Sequence, residues 1–224
     1  MERKIIITGD GSVSIHIPEW NEQYHSKHGA IQEALHVFIE MGLNRVLETS
    51  RKTEVSILEI GFGTGLNAFI TYLEAAEKNL TIHYTGVEAY PVTSKEIAAL
   101  NYAEALNAQS SADVLTEMHS VAWESFSSIA PFFELKKQQK KFHEINDIET
   151  YDLIYFDAFG ARVQPELWTE EIFSLMYAAL KPGGILVTYA AKGSVRRALQ
   201  KVNFFVERLP GPPNKREMLR ATKN

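Results

Sequence analysis

Apolar and polar positions along this chain repeat with two different periods, and the switches between them mark its elements. The opening K-I-I-I-T-G-D-G-S-V-S-I-H-I holds two short β runs around a Gly-Asp-Gly turn, the pattern of a hairpin. W-N-E-Q-Y-H-S-K-H-G-A follows, polar and aromatic, with no regular period. Leu35, Phe38, Ile39, Leu43 and Leu47 then recur at helical spacing within positions 30–48, where Gly42 marks a break between two halves. Beyond this point strand and helix signals alternate. Positions 55–60, 82–88, 153–156 and 185–189 read as strands, and 66–76, 93–106 and 169–180 as helices, with Thr93 or Ser94 capping the second helix. Positions 107–130 read as a helical insertion around Trp123, and 132–137 as a further strand. A short basic helix at 194–201 precedes two closing strands, 204–209 and 218–222, around the turn G-P-P-N-K.

Strands that alternate with helices are joined by right-handed crossovers and build a mostly parallel sheet. The last two strands are joined by a short turn, so they must pair antiparallel. The expected α/β fold is therefore the Rossmann-like plan of class I methyltransferases: a mostly parallel sheet with a terminal antiparallel hairpin. A small N-terminal β-hairpin extension is added to it. Residues 1–50, hairpin and helix, are expected to pack on a methyltransferase domain at 51–224 as one compact unit.

Composition narrows the chemistry. A chain of 224 residues, 45% hydrophobic, suits one domain with a sizeable core. It has no cysteine, which excludes a thiolate nucleophile, a disulfide scaffold and cysteine-ligated metal; no metal site is expected. The apolar run Ile5 to Ile7 is far too short for a signal peptide core, and no run reaches membrane-spanning length. A cytoplasmic protein without a membrane partner is the expectation. The formal net charge of −5 conceals an asymmetry: positions 192–224 carry nine Lys or Arg against Glu207 and Glu217, a local +7. A basic face on an acidic body suits a phosphate backbone, although a solvated amphipathic tail gives the same count.

The run L-E-I-G-F-G-T-G-L-N places Gly61, Gly63 and Gly65 directly after a strand and before a helix. Such a turn lets the backbone approach a ligand at the carboxyl edge of the sheet, beside free helical N–H groups. A dinucleotide fingerprint needs its third glycine three positions after the second. Here the third comes after two, the E-x-G-x-G-x-G pattern of S-adenosylmethionine sites, so NAD is the runner-up. Glu59 suits the methionine ammonium. The turn, including Phe62 and Thr64, offers N–H groups to the carboxylate. Glu88 closes the next strand, where an acidic side chain accepts from ribose hydroxyls. Glu144 and Asp147 are weak candidates for the adenine, and that contact has no assignment.

After the fourth strand, D-L-I-Y-F-D-A-F-G places Asp157 at the strand tip facing the same crevice. Methyl transfer mainly requires positioning of the nucleophile, and an amine nucleophile must shed a proton, which a carboxylate accepts. Asp157 is the candidate for that role; capping of the following loop is its other reading. Phe159 and Trp168 flank the loop as a stacking wall for a base or as packing residues.

These stretches carry a specific resemblance. E-Q-Y-H-S-K-H-G-A-I-Q-E-A-L-H-V-F-I, G-F-G-T-G-L-N, F-D-A-F with P-E-L-W-T, L-K-P-G-G and L-P-G-P-P-N-K-R-E-M-L resemble the tRNA 5-methylaminomethyl-2-thiouridine methyltransferase family, the methyltransferase half of bifunctional MnmC enzymes. The resemblance implies S-adenosylmethionine as donor and the aminomethyl group of the tRNA wobble uridine, in the anticodon loop, as acceptor. It implies that Gly61, Gly63, Gly65, Asn67 and Glu88 hold the cofactor, and that Asp157 lies beside the acceptor amine. Lys215, Arg216 and Glu217 would then shape the substrate side, with Tyr24 near the site. Arg196 and Arg197 belong to a basic rim for the RNA. The chain has no room for the FAD-dependent oxidase domain of the bifunctional enzymes, so a stand-alone form served by a separate precursor-making enzyme is expected. Three readings compete on the same fold: a small-amine methyltransferase, an aminopropyl transferase, and a non-catalytic S-adenosylmethionine-binding module.

Overall fold

The computed structural model describes residues 2–224. β1 (Lys4–Ile7), β2 (Val13–Ile17) and β3 (Glu22–Gln23) form a small antiparallel sheet. The third strand falls in the stretch without regular period, because only two residues pair with β2 and no alternation announces them. α1 (Ala30–Ala34) continues through a π-helical stretch, Leu35–Leu43, into α2 (Asn44–Ser50). Gly42 does not break this run. It lets the helix press onto the sheet: a Cβ there would sit 3.1 Å from Val187 Cγ2 and 3.4 Å from Tyr155 Cε1.

The core strands are β4 (Glu54–Ile60), β5 (Thr81–Val87), β6 (Phe126–Ala130), β7 (Phe133–Gln138), β8 (Tyr151–Phe156), β9 (Leu180–Thr188), β10 (Phe204–Pro210) and β11 (Glu217–Lys223). They form one sheet in the order β10-β11-β9-β8-β4-β5-β7-β6. Pairs among β9, β8, β4, β5 and β7 are parallel, whereas β10–β11, β11–β9 and β6–β7 are antiparallel. The inner strands are apolar on both faces, as parallel strands covered on both sides must be. One face packs on the helical run 30–50 and on α3 (Leu66–Lys78), through Ile57, Tyr84, Tyr155 and Val187. The other packs on α7 (Glu170–Ala179) and α8 (Gly193–Lys201), through Leu58, Ile154, Phe156 and Leu186.

Two expected helices are divided. Positions 93–106 fold as α4 (Ser94–Ile97), opened by a Thr93–Glu96 capping box, and α5 (Tyr102–Ala105). The interruption falls at Asn101, whose amide donates to Gly11 O (3.0 Å) and accepts from Val13 N (2.8 Å), tying the N-terminal hairpin to the core. The insertion at 107–130 contains α6 (Ala112–Ser120) and the edge strand β6, and Trp123 bridges to Lys137 outside any helix. Among the described residues no helix is long and apolar enough to cross a membrane.

Candidate cofactor and acceptor site

Strand order reverses at β4, which pairs β8 on one side and β5 on the other. A crevice forms outside the carboxyl ends of strands at such a point, and a cavity of about 650 Å³ opens there. Gly61, Phe62, Gly63 and Thr64 of the glycine turn line it, whereas Gly65 lies outside the lining, with its Cα hydrogen toward His119 and Phe62. Gly61, Gly63 and Gly65 have φ of 93°, 50° and 75°, a region that glycine occupies without strain. A Cβ on Gly61 would lie 2.8 Å from the Asp157 carbonyl oxygen, so the turn packs directly on the tip of β8. Gly61 and Phe62 both donate their N–H to Val87 O, at 3.0 and 3.1 Å. α3 begins immediately afterwards, and its first-turn N–H groups have no acceptor within the helix. Glu88 lines the cavity and accepts from Gly63 N (3.0 Å) and Tyr90 N (2.8 Å), one bond per oxygen, leaving acceptor capacity on each.

Beneath the turn, one amide joins two carboxyl groups. Asn67 Nδ2 donates to Glu59 Oε1 (2.8 Å) and to Asp157 Oδ2 (2.9 Å), and Tyr84 OH donates to Glu59 Oε2 (2.9 Å). Both amide hydrogens are used, and the buried Asn67 Oδ1 has no hydrogen-bond partner. Burial raises the Glu59 pKa well above the usual carboxyl range. Burial, and then the nearby Glu33 charge, push Asp157 up to about 7, against the Asn67 hydrogen bond and Lys215.

This geometry predicts a pH-dependent stability. Asp157 has a higher pKa folded than unfolded, so its contribution is complete below about 4 and is lost as pH rises through about 7. Asp157→Asn removes the ionisation. Urea unfolding should show the variant gaining on the wild type by on the order of 2 kcal/mol between pH 5 and pH 8; equal pH dependence in the two proteins would contradict a raised Asp157 pKa.

On the acceptor side, Phe159 lines the cavity and meets Tyr24 and Trp20 edge-on, with ring centroids 5.1 and 5.6 Å away. Trp168 is not part of this wall. It is 5% exposed, packs on Phe156, Phe173 and Tyr189, and donates Nε1 to Phe159 O at 2.8 Å. An indole needs a partner for its N–H when buried, and the Phe159 carbonyl supplies it. Trp168 thus shapes the loop from behind, and Trp20 takes the place expected of it. Thr64 borders the cavity, but its hydroxyl is bonded to Tyr102 OH (2.8 Å) and lies 3.4 Å from His25 Nε2, and its carbonyl faces His119 Nε2, which leaves its backbone N–H for a ligand.

Lys215, Arg216, Glu217, Arg196 and Arg197 do not line the cavity. Lys215 pairs with Glu33 and lies 4.1 Å from the Tyr189 ring centre, and Tyr189 OH donates to Ala158 O at 2.8 Å. Its influence on Asp157 is therefore electrostatic and indirect. Glu217 faces Arg208. The basic C-terminal region is also less free than its charge count suggests: Lys201, Arg208, Lys215, Arg220 and Lys223 all have acidic partners, and Arg220 and Lys223 are buried. Among the described residues, Lys192, Arg196, Arg197 and Arg216 remain without one. These four sit at the cavity edge of the sheet. α8 starts just past the end of β9, and the β11 register, Leu219 opposite Thr188, carries the β10–β11 turn beyond that same end.

Neither Glu144 nor Asp147 lines the cavity. Glu144 accepts from Lys141 N (2.6 Å), and Asp147 accepts from Tyr151 OH (3.3 Å). The loop after β7 instead presents Lys141, Phe142 and His143. Arg3, Trp20 and His25 come from the N-terminal segment; Arg162, from the loop after Asp157, grips Trp20 O and Asn21 O at 3.2 and 3.1 Å. The sequence signal for these was only the aromatic density of the irregular stretch around Trp20 and Tyr24.

The lining fits a cationic, hydroxyl-bearing cofactor: buried acceptors at Glu59 and Asn67 Oδ1, Glu88 at the mouth, and the backbone of Gly61 and Gly63 along the cavity. A family model described as S-adenosyl-L-methionine-dependent methyltransferase matches residues 129–224. MNMC2 from Aquifex aeolicus is similar over 100% of this chain and 71% of its own, at 25% identity and a TM-score of 0.79. A spermidine synthase in complex with a transition-state analogue superposes with a TM-score of 0.53 at 13% identity, a likeness of fold. The fold is that of class I S-adenosylmethionine-dependent methyltransferases, and the C-terminal part of the chain matches their family model. The chain's curated relatives are proteins named tRNA 5-methylaminomethyl-2-thiouridine biosynthesis bifunctional protein MnmC. That of Cupriavidus necator is 29% identical over 92% of this chain and 32% of its own length, and that of Leptospira borgpetersenii 29% over 89% and 32%. The chain thus spans about a third of the length of these relatives.

Proposed function

We propose that this methyltransferase acts on the aminomethyl nitrogen of 5-aminomethyl-(2-thio)uridine at the tRNA wobble position, giving the 5-methylaminomethyl form. The observation that carries this reading is the shared floor of the cavity, where Asn67 joins a carboxyl group on the turn side, Glu59, to one on the acceptor side, Asp157. The names of the MnmC relatives support the substrate.

In this reading Glu59 and Asn67 Oδ1 receive the cofactor's ammonium, the first-turn N–H groups of α3 its carboxylate, and Glu88 its ribose hydroxyls. The loop with Phe142 and His143 borders the adenine. S-adenosylmethionine supplies a methyl carbon activated by the sulfonium charge. The protein's task is to bring an amine nitrogen in line and to hold the proton that nitrogen loses. Asp157 is placed for that at the strand tip. As a carboxylate it accepts a hydrogen bond from the amine, turns its lone pair toward the methyl group and takes up the proton. Phe159, Tyr24 and Trp20 offer a flipped-out base an aromatic surface. The aminomethyl precursor comes from a different active site.

The unpaired cations at the cavity edge would meet the RNA backbone. Replacing Arg196 and Arg197 together with Ala should weaken tRNA binding and reduce the slope of log affinity against log salt by about two. Filter binding from 50 to 200 mM salt measures both; an unchanged slope would remove α8 from the RNA interface.

A further inference from the structure

We infer that His119, near the carboxyl end of α6, is a positioning residue whose hydrogen bond to Thr64 sets the glycine turn's affinity for S-adenosylmethionine. This rests on the proposed role of residues 61–64 as the cofactor floor. Thr64 lies between two glycines with left-handed backbone, Gly63 and Gly65, so local sterics impose little on the orientation of its peptide planes. Partners must impose it. Thr64 is 1% exposed, and side chains from three separate segments hold it. Tyr102 and His25 engage its hydroxyl, and His119 Nε2 lies 2.9 Å from its carbonyl oxygen. A carbonyl only accepts, so Nε2 carries the hydrogen.

His119 is itself held in place. Its ring meets Phe62 edge-on with centroids 5.8 Å apart, and a Cβ on Gly65 would come within 3.2 Å of Nε2. Its backbone carbonyl accepts from Lys137 Nζ at 2.6 Å, and that ammonium lies 4.9 Å from the centre of the Trp123 ring. The end of α6 is thereby tied to β7. The same peptide plane carries the Gly65 N–H, which donates to Phe62 O at 2.9 Å. Fixing both ends of this plane directs the start of α3: the free N–H groups of Leu66 and Asn67, and the Asn67 side chain that reaches Glu59 and Asp157. His119 touches none of the reacting groups. Its effect is on how well the turn is preformed, and so on binding.

The test compares wild type with His119→Ala, His119→Phe and His119→Gln, by calorimetric S-adenosylmethionine binding and by methylation kinetics. The Gln amide nitrogen reaches about where Nε2 does; Phe keeps the packing without the donor. Loss of one hydrogen bond to a buried carbonyl should weaken binding about tenfold in the Ala and Phe variants. KM for the cofactor should rise by the same factor, with kcat within about twofold, and Gln should restore binding to within about threefold. Wild-type affinity in the Phe variant, a Gln variant no better than Phe, or a fall in kcat at unchanged KM would each overturn the inference. Should the Ala variant not fold, the Phe–Gln comparison carries the test. Wild-type protein that fails to bind the cofactor would remove the reading of the turn itself and His119 with it, a result distinct from equal binding by all four proteins.

Discussion

Asp157→Asn is expected to slow methyl transfer about a thousandfold while S-adenosylmethionine binding stays within about threefold. The substitution is nearly isosteric, and its amide oxygen still accepts from Asn67 Nδ2, so the cavity floor keeps its shape. What disappears is the group proposed to take the proton from the attacking amine. A carboxylate whose pKa is lifted to about 7 by burial and by Glu33 is matched to that exchange near neutral pH. Single-turnover kinetics separates the chemical step from binding. A wild-type single-turnover rate would leave Asp157 a loop residue only. Weakened cofactor binding at an unchanged rate would move it to the cofactor side.

Gly61→Val should abolish measurable cofactor binding, a loss of about a hundredfold or more, and activity with it. Two costs coincide at this position. A β-branched residue at φ 93° is strained, and its Cβ would come within 2.8 Å of the Asp157 carbonyl, a backbone atom that cannot rotate away. Relief requires the turn to leave the β8 tip, which separates the proposed cofactor floor from the acceptor carboxylate. Calorimetry on variant protein shown to be folded by circular dichroism gives the answer. Binding within threefold of wild type would mean that the approach of the turn to β8 is not needed to hold the cofactor.

The sheet was readable from the sequence because its buried strands are short apolar runs flanked by helical periods, and both kinds of pattern survive folding. The close-set glycines with Glu59 and Glu88 were readable for a related reason: they are local to one strand–turn–helix unit and its neighbour. What escaped was set by contacts between distant segments. Gly42 has the local signature of a helix break, and only packing on Val187 and Tyr155 shows that its missing side chain serves a close approach. Trp168 and Trp20 are indistinguishable as lone aromatics in loops; one turns inward to the Phe159 carbonyl and the other reaches the cavity because Arg162 grips its backbone. Basic residues from position 192 onward form a run in sequence, yet Lys201, Lys215 and Lys223 pair with Glu170, Glu33 and Glu149 from elsewhere on the fold, which composition cannot show. His119 sits in a stretch without clear period, and its reach to Thr64 depends on how α6 is docked.

The crevice shared by the glycine turn and Asp157 is proposed to methylate an aminomethyl nitrogen on a tRNA base. The most direct measurement is incubation of the protein with methyl-labelled S-adenosylmethionine and tRNA carrying 5-aminomethyluridine, followed by nucleoside mass analysis. One labelled methyl group is expected on that nucleoside, absent with Asp157→Asn and absent on tRNA bearing unmodified uridine. Cofactor bound with no mass gain on the aminomethyl nucleoside, or label found on a different nucleoside, would contradict the proposal.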